Sequence, residues 1–105
     1  MANGVAFGGD ERNVYALDAA TGTTRWIHRT RDSVSSPAVA DGVVYIGSND
    51  HNVYALDAAA GTGKWRCPTG DVVSSAPAVA GGVAYIGSDD HNVYALQAVT
   101  GAGPV

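Results

Sequence analysis

Short runs of alternating side chains, each closed by glycine, asparagine or aspartate, fill this chain from end to end. NVYALDA at Asn52–Ala58 sets the pattern: in an extended strand, Tyr54 and Leu56 fall on one face and Val53, Ala55 and Asp57 on the other. The same heptapeptide stands at Asn13–Ala19 and returns as NVYALQA at Asn92–Ala98. Val, Tyr and Leu are enriched in these runs, and no apolar pattern holds helical spacing over a long window, so the reading is strand throughout.

The similarity extends beyond the heptapeptide. GVVYIGSNDHNVYALDA (Gly42–Ala58) matches GVAYIGSDDHNVYALQA (Gly82–Ala98) at 14 of 17 positions, and the three heptapeptides are offset by 39 and then 40 residues. Each unit reads as four short strands: PAVA, then VVYIGS, then NVYALDA after an NDHN or DDHN hairpin, then TTRWIHRT after an AATG turn. A period near 40 with four strands per unit is that of a β-propeller blade. The expected fold is therefore all-β, a partial propeller of about 2.5 four-stranded antiparallel blades and about ten strands. The expected divisions are an incomplete first blade at 1–32, a complete second at 33–72 and an incomplete third at 73–105. Both faces of each sheet carry apolar groups, so each blade needs a neighbour on either side.

Composition agrees. Hydrophobic residues make up 46 % of the 105 residues, charged residues only 15 %, and there are 14 glycines. The net charge of −4 excludes the basic stripe that nucleic acid requires, and Arg12, Arg25, Arg29 and Arg31 read as a solvated strand and turn. No apolar run approaches the roughly 20 residues of a bilayer span, so no membrane insertion is expected. The first residues carry no charged and apolar leader pattern. Cys67 is the single cysteine and reads as a small hydrophobe.

ALDAATGTTRW (Ala16–Trp26) resembles the tryptophan-docking motif of the PQQ-like (pyrroloquinoline-quinone-type) propeller repeats. Its positions are Ala16, Asp18, Thr21, Gly22 and Trp26; the second copy has Ala55, Asp57, Gly61 and Trp65, with Ala60 where threonine is usual. The third has Ala95, Thr100 and Gly101, but Gln97 replaces the aspartate and Val105 stands at the tryptophan. The resemblance implies that each indole packs between adjacent blades near the glycine turn. The family includes an outer-membrane assembly lipoprotein, propellers attached to bacterial serine/threonine kinases, and quinoprotein dehydrogenases, and is often extracytoplasmic. The dehydrogenases carry a vicinal Cys–Cys disulfide, a Ca²⁺ site of Glu, Asn and Asp, and a catalytic Asp. This sequence has no Cys–Cys pair, and its only glutamate, Glu11, falls at a hairpin. The resemblance thus implies the fold without the enzyme, and no catalytic residue, metal ligand or cofactor is assigned.

The remaining polar clusters read as structural. SNDHN (Ser48–Asn52) and SDDHN (Ser88–Asn92) lack the length and terminal glutamate of a calcium loop and suit tight hairpins, with His51 and His91 exposed. The repeated serine pairs before each PAVA lack a base and an oxyanion hole, and read as backbone hydrogen-bonding groups. His28 reads as surface.

Propellers close with about 4–8 blades. The chain is expected to be a piece of a longer propeller, or to assemble with copies of itself, for instance by lending a PAVA strand to a neighbour's first blade. Its expected role is a non-catalytic protein-interaction or scaffold segment, whose partner is another protein or the remaining blades. The alternatives are part of a quinoprotein dehydrogenase and the sensor or docking propeller of a kinase.

Overall fold

A computed structural model describes residues 4–9, 11–73 and 75–97. They form ten strands: β1 (Val5–Gly9), β2 (Asn13–Asp18), β3 (Thr24–Arg29), β4 (Ala38–Ala40), β5 (Val43–Gly47), β6 (Asn52–Asp57), β7 (Gly63–Pro68), β8 (Ala78–Ala80), β9 (Val83–Gly87) and β10 (Val93–Gln97). The all-β expectation holds among the described residues. The third motif's Thr100, Gly101 and Val105 lie outside them.

The strands form three antiparallel meanders, β1-β2-β3, β4-β5-β6-β7 and β8-β9-β10. Register repeats from sheet to sheet. Phe7 opposes Ala16 and Ala16 opposes Trp26 in the first, as Tyr45 opposes Ala55 and Ala55 opposes Trp65 in the second. An irregularity one residue further on, at Ala16/Leu17 and Ala55/Leu56, recurs in both outer ladders. The repeats differ at the first hairpin. Three residues separate Gly9 from Asn13, where four separate Gly47 from Asn52.

The sheets stack face to face. The side of the second sheet bearing Val44, Ile46, Tyr54 and Leu56 packs on Val14, Phe7 and Trp26 of the first. Its opposite side, with Tyr45, Val53 and Ala55, packs on Ala84, Ile86 and Leu96 of the third. The alternation read from NVYALDA is thus an alternation between two seams. Four consecutive residues of β6, Val53–Leu56, are buried, whereas in β2 only Val14 and Ala16 are. Close approach depends partly on glycine: a Cβ on Gly47 would stand 2.3 Å from a Val73 methyl, and one on Gly9 2.6 Å from a Val34 methyl.

Because Leu56 is fully buried in the first seam, Leu56→Ala is expected to cost about 2–5 kcal/mol, measured by denaturant unfolding. Ile27→Ala, on an outer-strand residue that is 56 % exposed, is expected to stay within about 0.5 kcal/mol in the same measurement.

Candidate functional site at the seams between sheets

Trp26 sits on β3 with its ring 6.0 Å from that of Phe7, tilted by 46°. Its Nε1–H donates to the Ala58 carbonyl of the next sheet at 2.9 Å. The ring lies on Gly61 so closely that a Cβ there would come within 2.4 Å of it, and Gly61 has a φ of +77°. Asp57 builds this turn: Gly61 N–H donates to its carbonyl at 2.7 Å and Ala60 N–H to its Oδ2 at 2.9 Å. Asp18 closes the corresponding turn of the first sheet, accepting from Ala20 and Thr21 N–H. Gly22 has the same backbone conformation as Gly61, but no other group approaches its Cβ position. Ala16 and Ala55 are fully buried opposite the two tryptophans. Trp65 lies 6.1 Å from Tyr45, tilted by 47°, and packs into the second seam.

His28 departs from the surface expectation. It is half-buried, and its Nδ1 contacts the Gly61 carbonyl at 3.0 Å, in the geometry of an N–H donor. Two residues after Trp26 on one strand, it shares that residue's face and turns toward the seam.

The opposite end of each seam carries an arrangement that sequence reasoning missed. Asp50 Oδ2 accepts from Tyr54 Oη and also from the Arg31 amide, at 3.3 Å, in the segment after β3. Asp90 Oδ2 accepts from Tyr94 Oη and from the Gly70 amide, at 2.9 Å, in the segment after β7. The other carboxylate oxygens accept from Asn52 and Asn92 N–H within their own hairpins. Each hairpin aspartate therefore ties its sheet to the preceding one. Hydrogen bonding to Tyr94, then to the Gly70 and Asn92 amides, holds the Asp90 carboxyl below its ordinary range, with desolvation opposing. The bond to Asp90 raises the Tyr94 phenol, and burial raises that of Tyr54, with Asp50 adding to it. The shorter first hairpin offers Glu11 and Tyr15 at these positions, and Asn13 Oδ1 is buried without a hydrogen-bond partner.

The other polar candidates have local tasks. Ser35 Oγ accepts from Gly47 N–H at 2.9 Å, and Ser75 Oγ bonds both N–H and carbonyl of Gly87. His51 and His91 are exposed, with φ of 77° and 74°. Cys67 is a half-buried free thiol packed in the second seam, and burial pushes its pKa up, away from the reactive thiolate. Among the described residues no three His, Cys, Asp or Glu side chains group to hold a metal ion. Glu11 is exposed, and Asp18, Asp50, Asp57 and Asp90 are already turned onto amides and tyrosines, so these five do not converge on a calcium ion.

Stacked antiparallel meanders of this kind define a partial β-propeller built from repeats. The family model described as outer membrane protein assembly factor BamB matches residues 2–103. The chain belongs to this family of PQQ-like β-propeller repeats. Among solved structures it is similar to quinohemoprotein alcohol dehydrogenase ADHIIG from Pseudomonas putida HK5, at 30 % identity and a TM-score of 0.86, over 96 % of this chain and 18 % of that one. It is similar in fold to BamB from Moraxella catarrhalis, at 19 % identity and a TM-score of 0.84, over 97 % of this chain and 31 % of that one. The computationally designed Ika4 protein shares the fold at 17 % identity and a TM-score of 0.88, over 97 % of this chain and 65 % of that one. The chain thus spans about a fifth of the dehydrogenase and a third of BamB. No curated protein matches it.

The two glycine turns separate conformational strain from docking. Gly22→Ala is expected to cost about 1 kcal/mol, the left-handed backbone alone. Gly61→Ala adds displacement of the Trp26 ring and is expected to cost about 2–4 kcal/mol, with a shift in tryptophan fluorescence that Gly22→Ala lacks. The hydrogen-bonded carboxylates of the turns and hairpins also set an acid response. The folded pKa values of Asp18 and Asp90 lie below the ordinary value of 3.8. Their stabilisation is therefore complete above the unfolded value and is lost as pH falls through the folded one. Asp90→Asn is expected to flatten the loss of stability below pH about 4, measured as the urea midpoint against pH.

Proposed function

We propose that this chain is a non-catalytic propeller segment that acts as a protein-interaction or scaffold module, its partner being another protein or further blades of the same kind. One observation carries the reading. The open side of the third sheet presents Tyr85, 43 % exposed, and Val93, 78 % exposed, while their counterparts in the second sheet, Tyr45 and Val53, are 2 % and 0 % exposed against a neighbouring sheet. The residues that make a seam in one sheet are offered to a partner in the next. The polar side chains support the same reading, because Asp18, Asp50, Asp57, Asp90, Ser35, Ser75 and Trp26 are occupied in turns and cross-ties.

The dehydrogenase alternative draws on the 30 % identity to the Pseudomonas putida enzyme, in which case quinone and metal ligands come from outside these residues. The test is to incubate the chain with pyrroloquinoline quinone and Ca²⁺ and follow dye reduction with primary alcohols. The scaffold reading expects no alcohol-dependent turnover; turnover that saturates with quinone overturns it.

A further inference from the structure

The charges of this chain are segregated. Four of its six lysines and arginines, Arg25, Arg29, Lys64 and Arg66, lie on the outer strands β3 and β7, which contain no aspartate or glutamate. The other two flank the end of β3: Arg31 follows it, and the Arg12 carbonyl accepts from the Thr30 amide at 2.7 Å. The described acidic residues stand in hairpins, at the ends of β2 and β6, and in the segments between sheets.

Two of the cations meet at a groove. A cavity of about 360 Å³ opens between β3 and β7, lined by His28 on one wall, by Lys64 and Arg66 on the other, and by Tyr54. Both walls belong to sheets that already pack on each other across the first seam. Among the described residues, Lys64 and Arg66 are exposed and form no ion pair. Asp50, which the Tyr54 hydroxyl contacts, already accepts from that hydroxyl and from the Arg31 amide. The repeat itself does not call for these groups. Arg66 stands where the first copy has Ile27, and Cys67 where it has His28. Gly63 stands where the first copy has Thr24, and this exchange opens the groove: a Cβ on Gly63 would lie 4.0 Å from His28 Cε1, in contact with the imidazole.

We propose that this groove binds the carboxylate side chains of an acidic segment of a partner protein. Arg66 supplies a planar fork that takes one carboxylate through two parallel hydrogen bonds, and Lys64 a point charge that holds a second. His28 has a different task. With Nδ1 donating to the Gly61 carbonyl, the neutral ring offers Nε2 as an acceptor, which suits a backbone amide of the segment. A broad polyanion is a poorer fit than a short segment. The chain carries a net charge of −4 and repels an extended negative surface. A short acidic segment feels mainly the charges within a screening length of about 8 Å.

The inference names a partner class for the scaffold reading and rests on it, but the two fail separately: a groove that binds nothing leaves other surfaces for that reading, and quinone-dependent turnover overturns the reading alone. The test uses the full chain and a tetramethylrhodamine-labelled peptide, Gly-Ser-Glu-Asp-Glu-Gly, followed by fluorescence anisotropy. Saturable binding is expected, at least about tenfold tighter than that of the same peptide with Gln-Asn-Gln in place of Glu-Asp-Glu. Arg66→Gln is expected to weaken it at least about fivefold. Arg29→Gln removes the same charge from the opposite face of β3 to His28 and is expected to stay within about twofold. Gly63→Thr leaves the charge unchanged, crowds His28 and is expected to weaken binding at least about threefold. All three positions are exposed, and an unchanged urea midpoint shows that each variant keeps the fold. No saturable binding, equal affinity for the neutral peptide, equal loss for the two arginine changes, or full binding by Gly63→Thr overturns the proposal. So does binding to phosphatidylglycerol vesicles in place of the peptide.

Discussion

A β-sheet with two apolar faces must be covered twice, and this constraint organises the rest of the molecule. Val44 and Leu56 on one side of the second sheet and Tyr45 and Ala55 on the other are each buried against a different neighbour. Hydrophobic burial drives the stacking but does not fix its direction, because apolar surface is insensitive to sliding and rotation. The directional contacts stand at the ends of the seam. At one end of β6 the Trp26 indole donates to Ala58 and lies on Gly61; at the other, Asp50 joins Tyr54 to the Arg31 amide. Two fixed points at the ends of a strand of 6 residues leave little freedom for one sheet to slip over the next.

The division of work also shows in the two hairpin aspartates, Asp50 and Asp90, whose carboxylates are engaged in cross-ties between sheets. A carboxylate that accepts hydrogen bonds from two or three N–H or O–H groups is stabilised as the anion and is a poor general base. Asp90 is the clearest case, held low by Tyr94 and by the Gly70 and Asn92 amides. The tyrosine is affected in the opposite direction, since its proton is held against the carboxylate.

Much of this fold is legible in the sequence, and the reason is local. Strand alternation in NVYALDA, the glycine turns and the 39- and 40-residue offsets fix ten strands and two-sided burial from neighbouring residues alone. The docking of Trp26 is different. The residues at its receiving end, Ala58 and Gly61, lie 32 and 35 positions away; the family resemblance pointed to a glycine turn, but not to the Ala58 carbonyl. The ties from Asp50 and Asp90 were not legible, because their partners are backbone amides at Arg31 and Gly70, and an amide leaves no mark on residue identity. Tyr54 and Tyr94, four residues after each aspartate, were the available signal. His28 could have been placed by parity with Trp26, because alternate residues of a strand share a face.

The departures among the copies carry as much information as the matches. Where the second sheet presents Val44 and Ile46 to its neighbour, the first presents Ala6 and Gly8, and where the second hairpin has Asp50, the first has Glu11 on a loop one residue shorter. Those smaller side chains make the open face of the first sheet shallower than the faces buried inside the molecule. A neighbour on that side meets less apolar volume and a cross-tie of different reach, so a sheet shaped for the internal seams is not automatically shaped for this one. The open face of the third sheet, by contrast, keeps Tyr85 and Val93 at the positions of Tyr45 and Val53. Repetition therefore makes the sheets alike, but the two outward faces of the stack are chemically distinct, and such a difference gives a repeat protein a direction.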